Sequence, residues 1–299
     1  MLRSPHADRR DVIELTPEVL RTWALPLDED GDKHDRGTVV VIAGSAATAG
    51  AALLAGRAAL RMGAGRLQIV TDESVAAPLS IAVPEAMVVG LPRQAVAGEG
   101  VGAIHELVEP LLEGAQALVV GPGLGSGSLP VDVLGRAAGL LPSSSPVVVD
   151  ARALEALDRL DDEALDSLAT RLILTPNRDE LEGLAGLGDG DDADPMVTVA
   201  RSRKAVVTSF GRIEAHDGRG WTVSCTVPGL GTSGSGDVLA GLVGGAAARC
   251  QDPAQVTCWA TYVHAEVGRQ LADVVGPASY LASDLVDAVA RVMGELDTR

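Results

Sequence analysis

The stretch with the most chemical potential is Gly231-Thr232-Ser233-Gly234-Ser235-Gly236-Asp237, which opens an Ala-, Gly-, Leu- and Val-rich segment over 238–248. Gly234, Ser235 and Gly236 can bring successive backbone N–H groups together at a helix start. There the positive end of the helix dipole stabilises a phosphoryl group that is gaining charge. Asp237 stands at the same helix start, beside that anion hole, where it could take a proton from an attacking hydroxyl. The same residues also suit a plainer role, Asp237 as an N-terminal cap and the glycines as a turn. Neither a P-loop signature nor a strand-following GxGxxG competes for the phosphate elsewhere in the chain.

A second segment, Thr175-Pro176-Asn177-Arg178-Asp179-Glu180, follows an apolar run at 171–175 that Pro176 would end as a strand. Open α/β sheets bind ligands just past such strand ends. Asn177 and Glu180, three apart on the first turn of the next helix, share a face and could orient waters around a magnesium ion that bridges phosphates. An Asn cap with a Glu at N3 is equally an ordinary capping box. Gly121-Pro122-Gly123-Leu124-Gly125 and Asp150 stand at two further strand ends, the glycines allowing close backbone approach to a ligand or simply a tight connection.

The remaining polar candidates read as structural. His6, His34, His105, His216 and His264 show no metal-ligand spacing. Asp28, Asp30 and Asp32 lack the distal glutamate of an EF-hand and suit a solvated turn.

These residues need a frame, and the pattern around them supplies one. Apolar, β-branched runs at 38–43, 66–71, 117–121, 146–150, 171–175 and 205–209, with another at 87–90, read as strands covered on both faces. Helical patterns lie between them at 49–62, 101–113, 129–140, 152–159 and 179–187. Segments 213–216 and 221–227, around the turn Asp217-Gly218-Arg219-Gly220, predict an antiparallel hairpin, and the chain from Gly236 onward predicts helix. The expected class is α/β: a mostly parallel central sheet with helices on both faces and an antiparallel edge. Residues 1–12 are expected to form a loose arm and 13–299 a single domain.

Composition narrows the partners. At 299 residues and 46% hydrophobic content the chain can bury a large core. Its aromatic residues are limited to Trp23, Trp221, Trp259, Tyr262, Tyr280 and Phe210, so a bound purine is expected to meet backbone groups and aliphatic walls. A formal net charge of −17 argues against nucleic acid and anionic membrane surfaces, yet leaves room for a phosphate held by local N–H groups. Cys225, Cys250 and Cys258 form no paired framework. With no signal-peptide pattern and no long uncharged run, a cytoplasmic protein is expected.

Together these residues resemble one family. The carriers are Ala43-Gly44-Ser45 with Gly50-Ala51-Ala52, Arg61-Met62-Gly63-Ala64-Gly65, the Gly121–Gly125 turn, Val-Val-Val-Asp-Ala-Arg-Ala-Leu at 147–154, Leu-Thr-Pro-Asn-Arg-Asp-Glu at 174–180, and the 231–241 stretch. They are similar to the ADP/ATP-dependent NAD(P)H-hydrate dehydratases of the ribokinase superfamily, over about residues 37–285. The resemblance implies a ribokinase-like three-layer sandwich and leaves no expectation of the epimerase domain that some members carry ahead of it.

For the chemistry, the resemblance implies that the terminal phosphate of ADP or ATP passes to the C6 hydroxyl of the hydrated nicotinamide ring of NADH or NADPH. Phosphate then leaves and the double bond re-forms. Asp237 would be the base and Gly234, Ser235 and Gly236 the anion hole. Ala51, Gly123, Asn177 and Asp237 would touch the substrate, and Thr208, Ser209, Phe210, Gly211 and Arg212 the nucleotide. Mg2+ dependence, with Asn177 and Glu180 acting through water, and a homotetramer are also implied.

The chain departs from the family at three places. Asn177-Arg178-Asp179-Glu180 stands where His-Pro-Gly-Glu is common, Thr208-Ser209-Phe210-Gly211 where a Leu-Lys-Gly is common, and Thr232 where the loop carries a lysine. The Asn177/Glu180 pair is shared with small-molecule kinases of the hydroxyethylthiazole-kinase type, the alternative activity on the same fold; a nucleotide-binding protein without turnover is the other.

Overall fold

The computed structural model describes residues 12–26, 36–94, 101–188, 191–224 and 227–297. Asp28, Asp30 and Asp32, expected as a solvated turn, the histidines His6 and His34, and Cys225 lie outside them. So does most of the expected arm; its last residue, Val12, opens a strand.

Ten strands form one sheet: β1 (Val12–Glu14), β2 (Thr38–Ile42), β3 (Arg66–Asp72), β4 (Ala86–Leu91), β5 (Ala117–Val120), β6 (Val147–Val149), β7 (Leu172–Leu174), β8 (Val206–Ser209), β9 (Arg212–Ala215) and β10 (Gly220–Thr222). Their order is β1-β10-β9-β8-β7-β6-β5-β2-β3-β4. From β4 across to β8 every pairing is parallel. β9 runs antiparallel to both its neighbours, and β1 closes that edge parallel to β10.

Because successive side chains leave a strand on opposite faces, the sheet divides the core in two. Val39, Val41, Val119 and Ile173 point into one cluster, against the helices Ala49–Arg61, Ser235–Arg249, Pro253–Val274 and Ala282–Asp297. Val40, Ile42, Val120, Val149 and Leu174 point into the other, under Leu129–Leu140 and Pro195–Ser202 among others. The three-layer α/β sandwich with an antiparallel edge is therefore observed.

Local departures have local causes. The helical pattern over 101–113 becomes two helices, Val101–Leu107 and Glu109–Glu113, because Pro110 has no N–H to continue the ladder. The segment after Asp150 winds as a 3-10 helix, Ala151–Arg159. Helices at Glu73–Ala82, Asp162–Leu168 and Pro195–Ser202 start on Asp72, Asp161 and Asp194, each of which accepts a first-turn N–H.

The element that places the site is the Ser235–Arg249 helix. It is sandwiched between the sheet and Ala49–Arg61, and small residues let the backbones approach. A Cβ on Gly241 would collide with the carbonyl of Ala55, and one on Gly245 with that of Ala59. Gly244 likewise lies against Val119 of β5. Gly245→Ala is therefore expected to destabilise the protein by about 1–3 kcal/mol, the usual effect of overpacking, despite the better helix propensity of alanine. Chemical denaturation of parent and variant measures it, and an unchanged midpoint would show that the helices can separate freely.

Candidate functional site

The carboxyl ends of β5, β6, β7 and β8 deliver Gly121, Asp150, Thr175 and Phe210 to one edge of the sheet. The start of the Ser235–Arg249 helix faces the same edge. Gly234 turns the chain there in a left-handed conformation with φ of 88°. Among the described residues no side chain caps this helix. The Ser235 N–H donates to the Thr232 carbonyl at 3.2 Å. The amides of Gly236 and Asp237 have no partner among the described residues and are the ones left for an anion.

Asp237 is half-buried, and burial pushes its carboxyl up to about 6. Its Oδ2 folds back toward Gly234, 3.8 Å from where a Cβ on that residue would sit. Carboxylate and free amides therefore share one helix turn, which is what proton abstraction beside a phosphoryl group requires. Asp150 lies in the same acidic neighbourhood. Its carboxyl is pushed up to about 7, first by burial and then by the charges of Asp237 and Glu180, while a hydrogen bond from the Thr175 hydroxyl (2.7 Å) works in the opposite direction.

Ala51 and Gly123 come together across two loops. A Cβ on Gly123, whose φ is 64°, would lie 2.5 Å from the Ala51 Cβ. The Thr48 hydroxyl donates to the Gly123 carbonyl at 2.5 Å, and the Gly44 N–H to the Pro122 carbonyl at 2.8 Å. One turn along the same helix, Leu54 packs against Gly234, where a Cβ would approach its Cδ1 to 2.7 Å. The start of Ala49–Arg61 thus links the 121–125 turn to the Asp237 turn.

Beside Asp237 opens a cavity of about 500 Å³ lined by Asn177, Thr208, Ser209, Phe210, Gly211, Ser235 and Gly236. These were candidates from the sequence. Thr208 and Ser209 shape the wall through bonds of their own: Thr208 Oγ1 lies 2.9 Å from Thr261 Oγ1, and the Ser209 hydroxyl donates to the Pro176 carbonyl at 2.7 Å. Asn177 and Glu180 form the reciprocal capping box, each side chain accepting the other's backbone N–H at 3.0 and 2.9 Å. Arg212, expected to touch the nucleotide, does not line the cavity. Its guanidinium bonds Asp194 and Glu214, both at 2.8 Å, because β9 turns it toward the Asp194 cap.

Other walls escaped the sequence reading: Val227, Pro228, Leu230, Leu239, Thr261, His264 and Ala265. His264, expected to be a packing or surface residue, is the most informative. Its Nε2 lies 3.1 Å from the Ser235 carbonyl and 3.0 Å from Ser235 Oγ. A carbonyl only accepts, so Nε2 carries the proton, and burial pushes the ring down to about 4, leaving it neutral near pH 7. Thr261 and His264, three apart, share one face of the Pro253–Val274 helix, a spacing that could have marked this wall.

With this geometry in view, comparison with known proteins decides the family. A family model described as NAD(P)H-hydrate dehydratase matches residues 39–291. The chain belongs to the NAD(P)H-hydrate dehydratase family. An ADP-dependent (S)-NAD(P)H-hydrate dehydratase of Xanthomonas campestris is 37% identical over 293 residues, 94% of this chain and 96% of that one. The ADP/ATP-dependent NAD(P)H-hydrate dehydratase of Bacillus subtilis, co-crystallised with ATP/Mg2+, superposes with a TM-score of 0.75 at 26% identity, covering 96% of this chain and 99% of that one. A ribokinase-like protein of Enterococcus faecalis shares the fold, with a TM-score of 0.81 at 22% identity over 99% and 100% of the two chains. The chain spans about half the length of the bifunctional NAD(P)H-hydrate repair enzymes it also matches.

The raised carboxyl of Asp237 makes a stability prediction for this dehydratase-family fold. Its folded value of about 6 exceeds the ordinary 3.8, so the folded state binds the proton more tightly than the unfolded chain. Stability from this group is present at low pH and declines as pH rises through that window. Asp237→Asn is expected to gain on the parent in melting temperature between about pH 4 and pH 7. Parallel melting curves for the two would contradict the assigned environment.

Proposed function

We propose that the chain dehydrates (S)-hydrated NADH or NADPH back to the reduced cofactor, using ADP or ATP. The observation that carries this reading is the Asp237 carboxylate beside first-turn amides that have no partner among the described residues, next to Gly236, which lines a cavity of about 500 Å³. The hydrated ring lies against Ala51, Gly123 and Asn177, and the nucleotide fills the cavity with its terminal phosphate on the Gly236 and Asp237 amides.

Asp237 accepts the proton of the C6 hydroxyl as that oxygen bonds to the terminal phosphorus and the bond to the nucleotide's bridging oxygen breaks. The C6–O bond then breaks with phosphate as the leaving group, and loss of a proton from the neighbouring ring carbon restores the double bond. Each step matches the developing charge to a group already in place: amides for phosphoryl oxygens, a carboxylate for the proton.

Magnesium belongs to this reading as a hydrated ion. Asn177 Oδ1 and one Glu180 oxygen serve the capping box, and no group of three His, Cys, Asp or Glu side chains suited to a metal occurs among the described residues. Glu180 and the buried Asp150 would hold the ion through water, where crowded negative charge calls for a cation. When bound, Mg2+ supplies positive charge for the nucleotide's phosphates. Cytoplasmic residence and a homotetramer complete the proposal. Cys250 and Cys258 are free thiols, and among the described residues no helix is long and apolar enough to cross a membrane.

The deciding assay incubates the protein with hydrated NADH, Mg2+ and ADP or ATP. Recovery of reduced-nicotinamide absorbance with release of inorganic phosphate is expected; a stable phosphorylated product instead would point to a kinase of the hydroxyethylthiazole type. Asp237→Asn should lower kcat by about 10²–10⁴, the usual contribution of a positioned base. The parent's kcat should rise with pH around the Asp237 value of about 6. Equal turnover in variant and parent would remove Asp237 from the mechanism.

A further inference from the structure

Phe210, the one phenylalanine of the chain, occupies a position that packing does not explain. It and Gly211 form the two-residue turn between β8 and β9, with φ of 49° and 75°. Turns with both residues left-handed ordinarily take Asn-Gly, and a bulky side chain is disfavoured at the first place. The ring gains little burial in return, being 70% exposed while lining the mouth of the cavity. Backbone strain kept at a ligand-facing residue suggests that the ring itself has a task.

Arg178 shows what that task is. Its guanidinium lies 5.3 Å from the centroid of the Phe210 ring, the distance of a cation–π contact. No ion pair joins Arg178 to a carboxylate among the described residues. The residue before it, Asn177, lines the cavity. Yet none of the described lining residues is a lysine or an arginine, and Asp150, Glu180 and Asp237 add negative charge nearby. A nucleotide polyphosphate entering here would meet amides and carboxylates, and, among the described residues, Arg178 stands over a ring that lines the cavity.

We propose that Arg178, displayed on the face of Phe210, is the side chain that binds the phosphates of the nucleotide. The ring holds the long arginine near the entrance and limits its rotamers, so less freedom is lost when the phosphates arrive. The assignment rests on the reading that an adenine nucleotide fills the cavity. It adds a specificity device: the pair discriminates by phosphate, and the aliphatic walls accept the base.

Titration calorimetry with ADP and with adenosine tests it on the parent, Arg178→Ala and Phe210→Asn. Arg178→Ala should weaken ADP by about tenfold, the scale of one charge-assisted contact, and leave adenosine nearly unchanged. The gap between parent and variant should narrow as salt is raised. Phe210→Asn suits the turn better, so it should melt at or above the parent temperature while binding ADP severalfold more weakly. That combination separates the ring's task from a structural one. Arg178→Ala binding ADP as tightly as the parent overturns the proposal, as does equal loss of ADP and adenosine. Phe210→Asn with parental affinity overturns the ring's part. A parent that binds no ADP overturns the nucleotide reading and this assignment with it, an outcome distinct from the others.

Discussion

The whole site depends on a helix terminus that is left uncapped. A Ser, Thr, Asp or Asn cap at the start of Ser235–Arg249 would stabilise the helix by about 0.5–2 kcal/mol and would occupy the amides that an anion needs. The chain instead places Gly234 there in a left-handed turn, and Asp237 folds back beside it. What keeps the terminus in place is the rest of the helix, buried along most of its length and pressed onto Ala55 and Ala59 through Gly241 and Gly245. A fixed cluster of N–H dipoles follows, and such donors need no reorganisation when charge develops.

The same constraint sets the electrostatics. A protein of net charge −17 that handles phosphates must hold them locally, because its long-range field opposes them. On the proposed reading the free amides would provide that hold, and burial makes Asp237 a stronger base than an ordinary carboxylate. Asp150 registers the cost of the arrangement. Burial first, and then the neighbouring charges of Asp237 and Glu180, drive its carboxyl to about 7. A hydrated dication, or Arg178, would relieve the same repulsion.

How much of this was legible in the sequence depended on what each residue must satisfy. The strands β2, β3 and β5 to β8 are buried on both faces, so they appear as unbroken apolar runs and are easy to find. β1, three exposed residues that add to a hairpin edge, carries no such signal. The helices begun by Asp72, Asp161 and Asp194 look like charged loops until the caps are recognised as start signals. In the site, glycines and carboxylates stood out because backbone approach and proton transfer tolerate few other residue types. The aliphatic wall did not, since Val227, Leu230 and Leu239 could as well belong to a core. Arg212, which the family resemblance places among the nucleotide contacts, is bonded to Asp194, eighteen residues earlier, a pairing that the spacing alone does not announce.

The substrate side follows a similar economy of side chains. Gly123 meets Ala51 so closely that a Cβ there would collide with it, and the 121–125 turn is tied to the helix start by Thr48. On the proposed reading, a hydrated nicotinamide ring brought there would rest on backbone and methyl surface rather than on polar side chains that could bind the hydrated and dehydrated forms unequally. Discrimination would then fall to the reacting hydroxyl and to Asp237, the proposed base. Placing specificity at the reacting atom leaves the product ring, which lacks that hydroxyl, with fewer interactions to hold it. On that reading, release after elimination would follow from the same contacts that select the substrate.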